Sequence, residues 1–310
     1  MRIVFFGTPE FAVPSLDAVH REHDIVLVVA QPDRPAGRGM KMHVPAVIAR
    51  ARELGLSIAQ PLKVREVLDA VAALKPDAGV VVAYGKILPA ALLEIPRLGF
   101  FNVHGSILPK YRGAAPIQRA IENGETETGV TIMRVDEQLD HGPMLLIEKT
   151  AIDPDEHTPA VAQRLSHIGA NALARVLREL PPETPQDHAQ ATIAPKIDKA
   201  EGEVTFKESA RVIYDKFRAF DPWPGIFYKD VKLTDVVCGA APASGAGTRD
   251  DSAAEAAAAP QSIVSIDDDG IIIACAEGAL RIREMQRPGK PRTPAGAVAR
   301  GLGWRVGDVL

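Results

Sequence analysis

The feature that most constrains the fold is a regular alternation of strand and helix patterns through the first half of the chain. Four short apolar runs are typical of strands buried on both faces: Arg2–Phe6, Asp24–Ala30, Ala78–Tyr84 and Phe100–His104. Segments with apolar residues three or four apart favour helices between and after them: Phe11–Arg21, Val44–Leu54, Val64–Leu74 and Pro116–Glu122. Strands that alternate with helices predict an α/β fold with a Rossmann-like open parallel sheet.

Two further strand patterns and a long helix close this region. The strands are expected at Gly129–Val135 and Met144–Thr150. Thr158, with proline next to it, is a typical N-cap, and two consecutive prolines stop the helix near Leu180. We therefore expect the first domain to cover residues 1–183.

The rest of the chain has a different character. Residues 184–203 are mostly polar and contain two prolines, which predicts a linker. Closely spaced strand patterns with tight turns follow in residues 204–310, as in a small antiparallel β-barrel of the oligonucleotide-binding (OB-like) kind. Within it, residues 240–260 are a low-complexity stretch of Ala, Gly, Ser and Asp, and we expect a flexible loop there.

Composition excludes several classes of protein. With 46% hydrophobic and 25% charged residues among 310, the chain is typical of soluble globular proteins. Its two cysteines, Cys238 and Cys275, lie far apart, which excludes a disulfide framework and a cysteine-rich zinc site. No apolar run reaches the roughly 18–20 residues of a membrane span, and the N-terminal run is too short for a signal peptide. These features predict a cytoplasmic protein without membrane contact.

The charges are unevenly distributed. The net charge of −4 argues against a wholly basic nucleic-acid binder. Residues 1–120 hold 15 Lys and Arg against 10 Asp and Glu, residues 121–189 hold 5 against 13, and residues 281–310 hold 7 against 2. A partner that carries phosphates could contact both basic regions, and an ordinary solvated surface fits the same distribution.

The densest group of polar residues lies on the strand Phe100–His104. Because residues two apart on a strand point to the same side, Asn102 and His104 project together near the carboxyl end, where open parallel sheets bind ligands. An amide donor beside an imidazole can hold an oxygen that gains negative charge. The same pair also suits a buried structural role, and spacing alone leaves both interpretations open.

Three other features bear on chemistry. Residues 106–113 combine a stiff apolar turn with basic and aromatic groups. A planar ligand could lie against such a turn, and an ordinary loop that leads into a helix fits the same residues. Asp140 lies in a loop between two strand patterns, where a carboxylate could orient an imidazole, although Asp is common in turns. The spacing of His104, Asp140 and His141 matches no standard metal motif, so we expect no metal. Only Gly7 follows the first strand, so the glycine fingerprint of a dehydrogenase is missing.

Several longer motifs together resemble one family. In chain order they are FGTPEFAVPSL, QPDRPAGRG, VVAYGKILP, NVHGSILPKYRGAAPIQRAI, TGVTIM, LDHGPML and RAFDPWP. They extend from Gly7 to Trp223 and resemble the methionyl-tRNA formyltransferases, a branch of the folate-dependent formyltransferase family. NVHGSILP is typical of the wider family, whereas QPDRPAGRG and the C-terminal β-domain indicate the tRNA-directed branch.

The resemblance implies an activity and a set of site residues. The family transfers a formyl group from 10-formyltetrahydrofolate to the α-amino group of initiator methionyl-tRNA and releases tetrahydrofolate. The implied catalytic residues are Asn102, His104 and Asp140. The implied folate pocket is formed by residues near 82–88 together with Ser106, Ile107, Leu108 and Pro109. The implied tRNA contacts are the C-terminal barrel and the basic residues of the loop 31–42, namely Arg34, Arg38 and Lys41.

The implied chemistry suits these residues. Asn102 and a protonated His104 would stabilise a negative oxygen, and an anionic Asp140 would favour the charged imidazole. At this point either His104 or Asp140 could move the proton. The resemblance requires no metal and no obligate protein partner, and we expect a monomer. Two positions depart from the family pattern, because Ile107 stands where Leu is usual and Met40 where a basic residue is expected.

Two other functions stay open from the sequence. A formyltransferase that acts on a small amine would need neither the basic loop nor the β-domain. A non-enzymatic RNA-binding protein is the second alternative, and the intact set of Asn102, His104 and Asp140 argues against it.

Overall fold

The computed structural model describes residues 1–36, 41–239 and 259–310. Arg38 and nearly all of the loop predicted at residues 240–260 therefore lie outside the described residues. The chain divides into two compact units. The first consists of Met1–Ile117, Thr126–Ile152 and Ala160–Lys196, and the second of Gln118–Glu125, Asp153–Pro159 and Ile197–Leu310.

The first unit is built on a seven-stranded sheet with the strand order β10-β9-β7-β6-β1-β2-β5. Its strands are β1 (Arg2–Gly7), β2 (Asp24–Val29), β5 (Ile58–Ala59), β6 (Ala78–Val82), β7 (Phe100–His104), β9 (Glu127–Arg134) and β10 (Met144–Ala151). The five strands from β7 to β5 run parallel. Short strand pairs lie outside this sheet. Strand β3 (Arg34–Ala36) pairs with β4 (Lys41–His43), and β8 (Arg112–Gly113) pairs with β11 (Ile193–Ala194). The predicted α/β class with a Rossmann-like sheet is confirmed.

The sheet is mostly parallel, and its β10-β9 edge is antiparallel. Strand β9 pairs antiparallel with β7, and β10 pairs antiparallel with β9. The connection between β9 and β10 consists only of residues 135–143 and contains no helix, which accounts for the direction of β10 relative to β9. A parallel crossover needs a dozen or more residues, so a shorter connection returns the chain antiparallel. This return carries the loop that contains Asp140.

Helices lie between and after these strands in the chain. They are α1 (Val13–Glu22), α2 (Ala46–Glu53), α3 (Leu68–Leu74), α4 (Ala90–Leu93), α5 (Pro116–Glu122) and α6 (Thr158–Glu179). Alternate residues of β1 are buried on opposite faces, and Val4 and Phe6 share a core cluster with Val71 of α3 and Leu92 of α4. Thr158 was expected to cap α6. It is instead the first helical residue, and its hydroxyl donates to the Ala219 carbonyl oxygen at 2.7 Å.

The second unit is rich in antiparallel strands, which confirms the second half of the predicted fold class. Its sheet has the order β12-β13-β16-β15-β14, with β17 on β16. These strands are β12 (Ile226–Tyr228), β13 (Val231–Cys238), β14 (Ile263–Asp267), β15 (Gly270–Ala274), β16 (Ala279–Gln286) and β17 (Arg292–Pro294). Two helices pack on it, α7 (Ala210–Ala219) and α8 (Ala295–Gly301), of which α8 was not predicted. No helix in the described ranges combines the length and apolarity needed to cross a membrane.

A buried ion pair ties the second unit together. Arg218 and Asp215 of α7 form a salt bridge and are 1% and 4% exposed. The same guanidinium donates to the Glu156 carbonyl oxygen at 2.8 Å, so it holds the segment Asp153–Pro159 against α7. Tyr214 donates to Asp155 at 2.9 Å, and its pKa is raised to about 12 by burial and this hydrogen bond. The pair therefore anchors a segment far away in sequence.

We expect Asp215→Ala to lower the free energy of unfolding by about 3–5 kcal/mol, because it leaves a buried guanidinium without its partner. The control is Glu127→Ala, which removes one member of a half-exposed pair with Lys149 and should cost at most about 1 kcal/mol. Chemical denaturation of both variants measures the difference. Equal losses in the two variants would contradict the role assigned to Asp215.

Candidate active site

The three residues predicted as catalytic lie together at the carboxyl end of β7. Asn102 and His104 are two residues apart on this strand and turn to the same side, as the alternation predicts. The Asn102 amide nitrogen lies 3.4 Å from Asp140 Oδ1, and His104 Nδ1 lies 3.6 Å from Asp140 Oδ2. The carboxylate of Asp140 is thus the point where the three side chains meet.

His104 is held in one orientation by the turn that follows it. Its Nε2 donates to the carbonyl oxygen of Tyr111 at 2.8 Å, since a carbonyl can only accept. The residue is 5% exposed, and its other ring nitrogen, Nδ1, faces Asp140. Both ring nitrogens therefore face oxygen acceptors, and an imidazole protonated on both sides would have a donor for each.

Asp140 has a backbone that few residues other than glycine adopt. Its φ is 47°, in the left-handed region, and a non-glycine residue there typically costs of order 1–3 kcal/mol. Its Oδ2 accepts the backbone amide of Gly113 at 2.8 Å. Two residues later, a Cβ atom at Gly142 would overlap the carbonyl oxygen of Arg134, so the loop needs glycine there to lie against β9. Strain of this kind often marks a functional position.

The turn predicted to line a folate pocket divides into buried and half-buried residues. Ser106 and Leu108 are buried and fix the turn. The Ser106 hydroxyl donates to the Lys110 carbonyl oxygen at 2.7 Å, and Thr131 Oγ1 bonds both the Ser106 carbonyl oxygen at 2.7 Å and the Leu108 amide at 3.1 Å. Ile107 and Pro109 are half-buried and have apolar surface left to contact a ligand.

The strand-end segment near residues 82–88 presents a second apolar surface. Ile87 is 80% exposed, and Leu62 is also largely exposed. Lys86 Nζ donates a hydrogen bond to the Leu62 carbonyl oxygen at 2.7 Å. The Tyr84 carbonyl oxygen accepts from Thr8 at 3.2 Å. Burial raises the pKa of the Tyr84 hydroxyl. Exposed aliphatic side chains near the end of a parallel strand offer surface to an apolar ligand.

The basic loop predicted to contact tRNA contains a short hairpin, β3 with β4. Arg34 donates to Gln31 Oε1 at 3.3 Å, at the start of this hairpin. Gln60 donates to the Gln31 carbonyl oxygen at 3.0 Å and to Asp33 at 2.7 Å, so the base of the hairpin is anchored to the sheet. Lys41 pairs with Ala36 through the backbone of β4.

Sequence reasoning missed the groups that hold the site in place. Tyr111 and Gly113 act through backbone atoms, which carry no side-chain signal. Gln186 lies in the segment predicted as a linker, and it bonds the backbone of the Asp140 loop. His141 bonds Asp136 at 2.7 Å and stacks on His188 at 4.0 Å. Within the described ranges, no three His, Cys, Asp or Glu side chains are grouped so that they could hold a metal ion.

Known proteins resemble this chain over its whole length. The family model described as "Formyl transferase" matches residues 1–177, and the model "Formyl transferase, C-terminal domain" matches residues 196–303. The chain is 42% identical to the methionyl-tRNA formyltransferase of Thermus thermophilus, over 100% of this chain and 99% of that protein. It is 44% identical to the one from Citrifermentans bemidjiense, over 100% and 96%.

Solved structures share the fold at lower identity. The sugar 3N-formyltransferase WlaRD has a TM-score of 0.67 at 16% identity, over 94% of this chain and 99% of that one. HypX from Aquifex aeolicus, solved with tetrahydrofolic acid, has a TM-score of 0.62 at 18% identity, over 100% of this chain and 49% of that one. The first family model alone covers more than half of the chain. This chain therefore belongs to the methionyl-tRNA formyltransferase family.

Proposed function

We propose that this chain transfers the formyl group of 10-formyltetrahydrofolate to the α-amino group of initiator methionyl-tRNA, which yields N-formylmethionyl-tRNA and tetrahydrofolate. The convergence of Asn102 and His104 on Asp140, at the carboxyl end of a parallel strand, is the observation that carries the proposal. Full-length relatives at 42–44% identity, named for this activity, support it. The product is used at translation initiation, so we place the enzyme in the cytoplasm, as a monomer without an obligate protein partner.

The reaction makes modest demands on the protein. An α-amino group has a pKa of about 7.7–8.0, so a useful fraction is neutral near pH 7 and can attack a carbonyl carbon. The folate co-substrate supplies that carbon as a formyl group on nitrogen. Attack places negative charge on the formyl oxygen and positive charge on the amine nitrogen. The protein must stabilise the first and remove a proton from the second.

Asn102 and His104 are assigned to the oxygen. The amide nitrogen of Asn102 is a neutral donor, and Nδ1 of His104 is the ring atom available to a reactant because Nε2 is held by Tyr111. Both groups are positioned by β7 and by hydrogen bonds before any reactant binds. Donors that need no reorganisation stabilise developing charge most effectively.

Asp140 is assigned to the proton. Its carboxylate lies against both donors and is the more exposed partner of the His104–Asp140 pair, with 14% of its side chain exposed against 6%. As an anion it accepts the proton from the amine. The same proton can then go to the departing folate nitrogen, so no metal is needed.

The folate is assigned to the turn 106–109 and the segment 82–88. Half-buried Ile107 and Pro109 and exposed Ile87 offer the apolar contacts that a flat ring system needs. Buried Ser106 and Leu108 hold this turn in shape. The residues present therefore fit a folate, with polar catalytic groups next to an apolar surface.

The tRNA is assigned to the loop 31–42 and to the C-terminal domain. Arg34, Arg38 and Lys41 outnumber the single acidic residue Asp33 in that loop, and residues 281–310 hold 7 Lys and Arg against 2 Asp and Glu. We accordingly divide the chain into a catalytic domain at residues 1–183, a connecting segment at 184–203 and a tRNA-binding domain at 204–310. Positive charge on separate segments suits a long polyanion.

We expect His104→Ala and Asp140→Asn each to lower kcat by roughly 100–1000-fold, the usual cost of losing one group that stabilises a charged transition state. Asp140→Asn keeps the shape of the side chain and removes only its charge. Steady-state kinetics of formyl transfer to methionyl-tRNA measure the effect. The controls are His167→Ala and Asp69→Asn, which change exposed residues of the same types. Near-normal turnover in Asp140→Asn would rule out the proposed chemistry.

The tRNA assignment is tested by salt dependence. Replacing Arg34, Arg38 and Lys41 together with Ala should lower kcat/KM for methionyl-tRNA and leave folate affinity unchanged. The log–log slope against salt should become shallower by roughly one unit for each tRNA phosphate that these side chains no longer neutralise. A control variant removes three exposed basic residues elsewhere in the first unit, Arg52, Lys63 and Arg65, so the net charge changes equally. If both triple variants show the same slope, the loop does not bind tRNA.

A further inference from the structure

The segment 184–196, which we call the strap, is bonded along its length to the first unit. At its start, Thr184 and Met144 exchange two backbone hydrogen bonds of 2.8 Å. Near its end, Ile193–Ala194 pairs in parallel with Arg112–Gly113. Both attachments join the strap to backbone next to the candidate catalytic residues. A segment that merely connects two domains needs neither.

One strap residue, Gln186, is buried between these attachments and is 5% exposed. Its amide nitrogen donates to the carbonyl oxygens of Asp140 at 2.9 Å and Gly142 at 2.8 Å. Its amide oxygen accepts from Nε and Nη2 of Arg112, at 3.1 and 2.6 Å. Both N–H groups and the oxygen are thus used, so Gln186 connects the Asp140 loop to the turn that follows His104.

These bonds act on a residue whose backbone lies in the left-handed region. Asp140 has a φ of 47°, and such a conformation persists only when its surroundings fix it. The Gln186 side chain donates hydrogen bonds to the carbonyl oxygen of Asp140 itself and to that of Gly142, two residues later. Without these two bonds the loop could relax, and the carboxylate would move away from Asn102 and His104. A displacement of about 1 Å is enough to cost roughly 100-fold in rate.

The far end of the strap fixes the other side of the site. The Tyr111 backbone amide donates to the Thr192 hydroxyl at 2.9 Å. The Arg112 backbone amide donates to the Thr192 carbonyl oxygen at 2.8 Å. A Cβ atom at Gly113 would lie 2.6 Å from the Ala194 carbonyl oxygen, so the two segments pack closely. Tyr111 holds His104, and Gly113 donates to Asp140. The strap therefore bonds to the backbone segments that contact His104 and Asp140.

We propose that Gln186 is a positioning residue of the formyl-transfer reaction, which sets the place of the Asp140 carboxylate through its two amide hydrogens. The inference rests on the proposed function, because it needs Asp140 to be catalytic. Gln186 itself touches no reacting atom. Its removal should therefore change kcat and leave substrate binding intact.

The first test compares two glutamines of the same strap. Gln186→Met removes the hydrogen bonds and keeps the volume, and we expect kcat to fall roughly 10–100-fold. KM for methionyl-tRNA and for the folate should stay within about twofold, as expected when only transition-state stabilisation is lost. Gln190→Met, an exposed residue bonded only to Asp187 within the strap, is the matched control and should keep normal turnover.

A second variant separates positioning from stability. Gln186→Glu keeps an oxygen acceptor for Arg112 and so keeps that attachment, but its carboxylate faces the carbonyls of Asp140 and Gly142 without a hydrogen to donate. We expect the variant to stay folded at the assay temperature, because the retained pair with Arg112 offsets part of the repulsion from the two carbonyl oxygens, with kcat as low as in Gln186→Met. A normal kcat in a folded Gln186→Glu enzyme would overturn the proposal.

A double-mutant cycle tests the route through Asp140. If Gln186 acts only by placing that carboxylate, Gln186→Met should cost little in an Asp140→Asn background. Equal costs in the two backgrounds would overturn the positioning role while leaving the catalytic assignment intact. Normal turnover in Asp140→Asn alone would instead refute the catalytic role of Asp140, and no formyl transfer to methionyl-tRNA by the unmodified enzyme would refute the proposed function, so the failures can be told apart.

Discussion

The carboxylate of Asp140 is the group on which the rest of the site depends. It accepts a hydrogen bond from the Gly113 backbone amide at 2.8 Å. It also lies within 3.4–3.6 Å of the Asn102 amide nitrogen and the His104 imidazole. Three segments distant in sequence thus meet at two oxygen atoms. The backbone of Asp140 is held in the left-handed region to achieve this, and the surrounding hydrogen bonds offset the cost.

The fold explains how these segments come together. The parallel strands end at one edge of the sheet, where β7 presents Asn102 and His104. The connection from β9 to β10 carries Asp140, whose carboxylate lies within 3.4–3.6 Å of Asn102 and His104. The strap 184–196 then bonds both the Asp140 loop and the turn after His104. Each element contributes one side of a site that no single segment could build.

The sequence predicted the parts of this arrangement that depend on local patterns. The predicted bounds of Phe100–His104 and Pro116–Glu122 agree with the structure, because the spacing of apolar residues and the flanking turn residues define where these elements begin and end. The role of Gln186 could not be predicted, since its partners lie 44 to 74 residues away and are mostly backbone carbonyls. A polar segment with two prolines has the composition of a linker whether or not it is bonded to the domain. The direction of the β10-β9 edge could not be predicted for a similar reason, because strand patterns do not encode direction.

The most direct test of the account is a stoichiometric assay with the unmodified protein. Purified enzyme is incubated with 10-formyltetrahydrofolate and an equal amount of initiator methionyl-tRNA, and parallel reactions contain free methionine or an amino sugar. We expect N-formylmethionyl-tRNA and tetrahydrofolate to form in equal amounts and the small amines to stay unformylated. Formyl transfer to a small amine at the same rate, or none to methionyl-tRNA, would contradict this expectation.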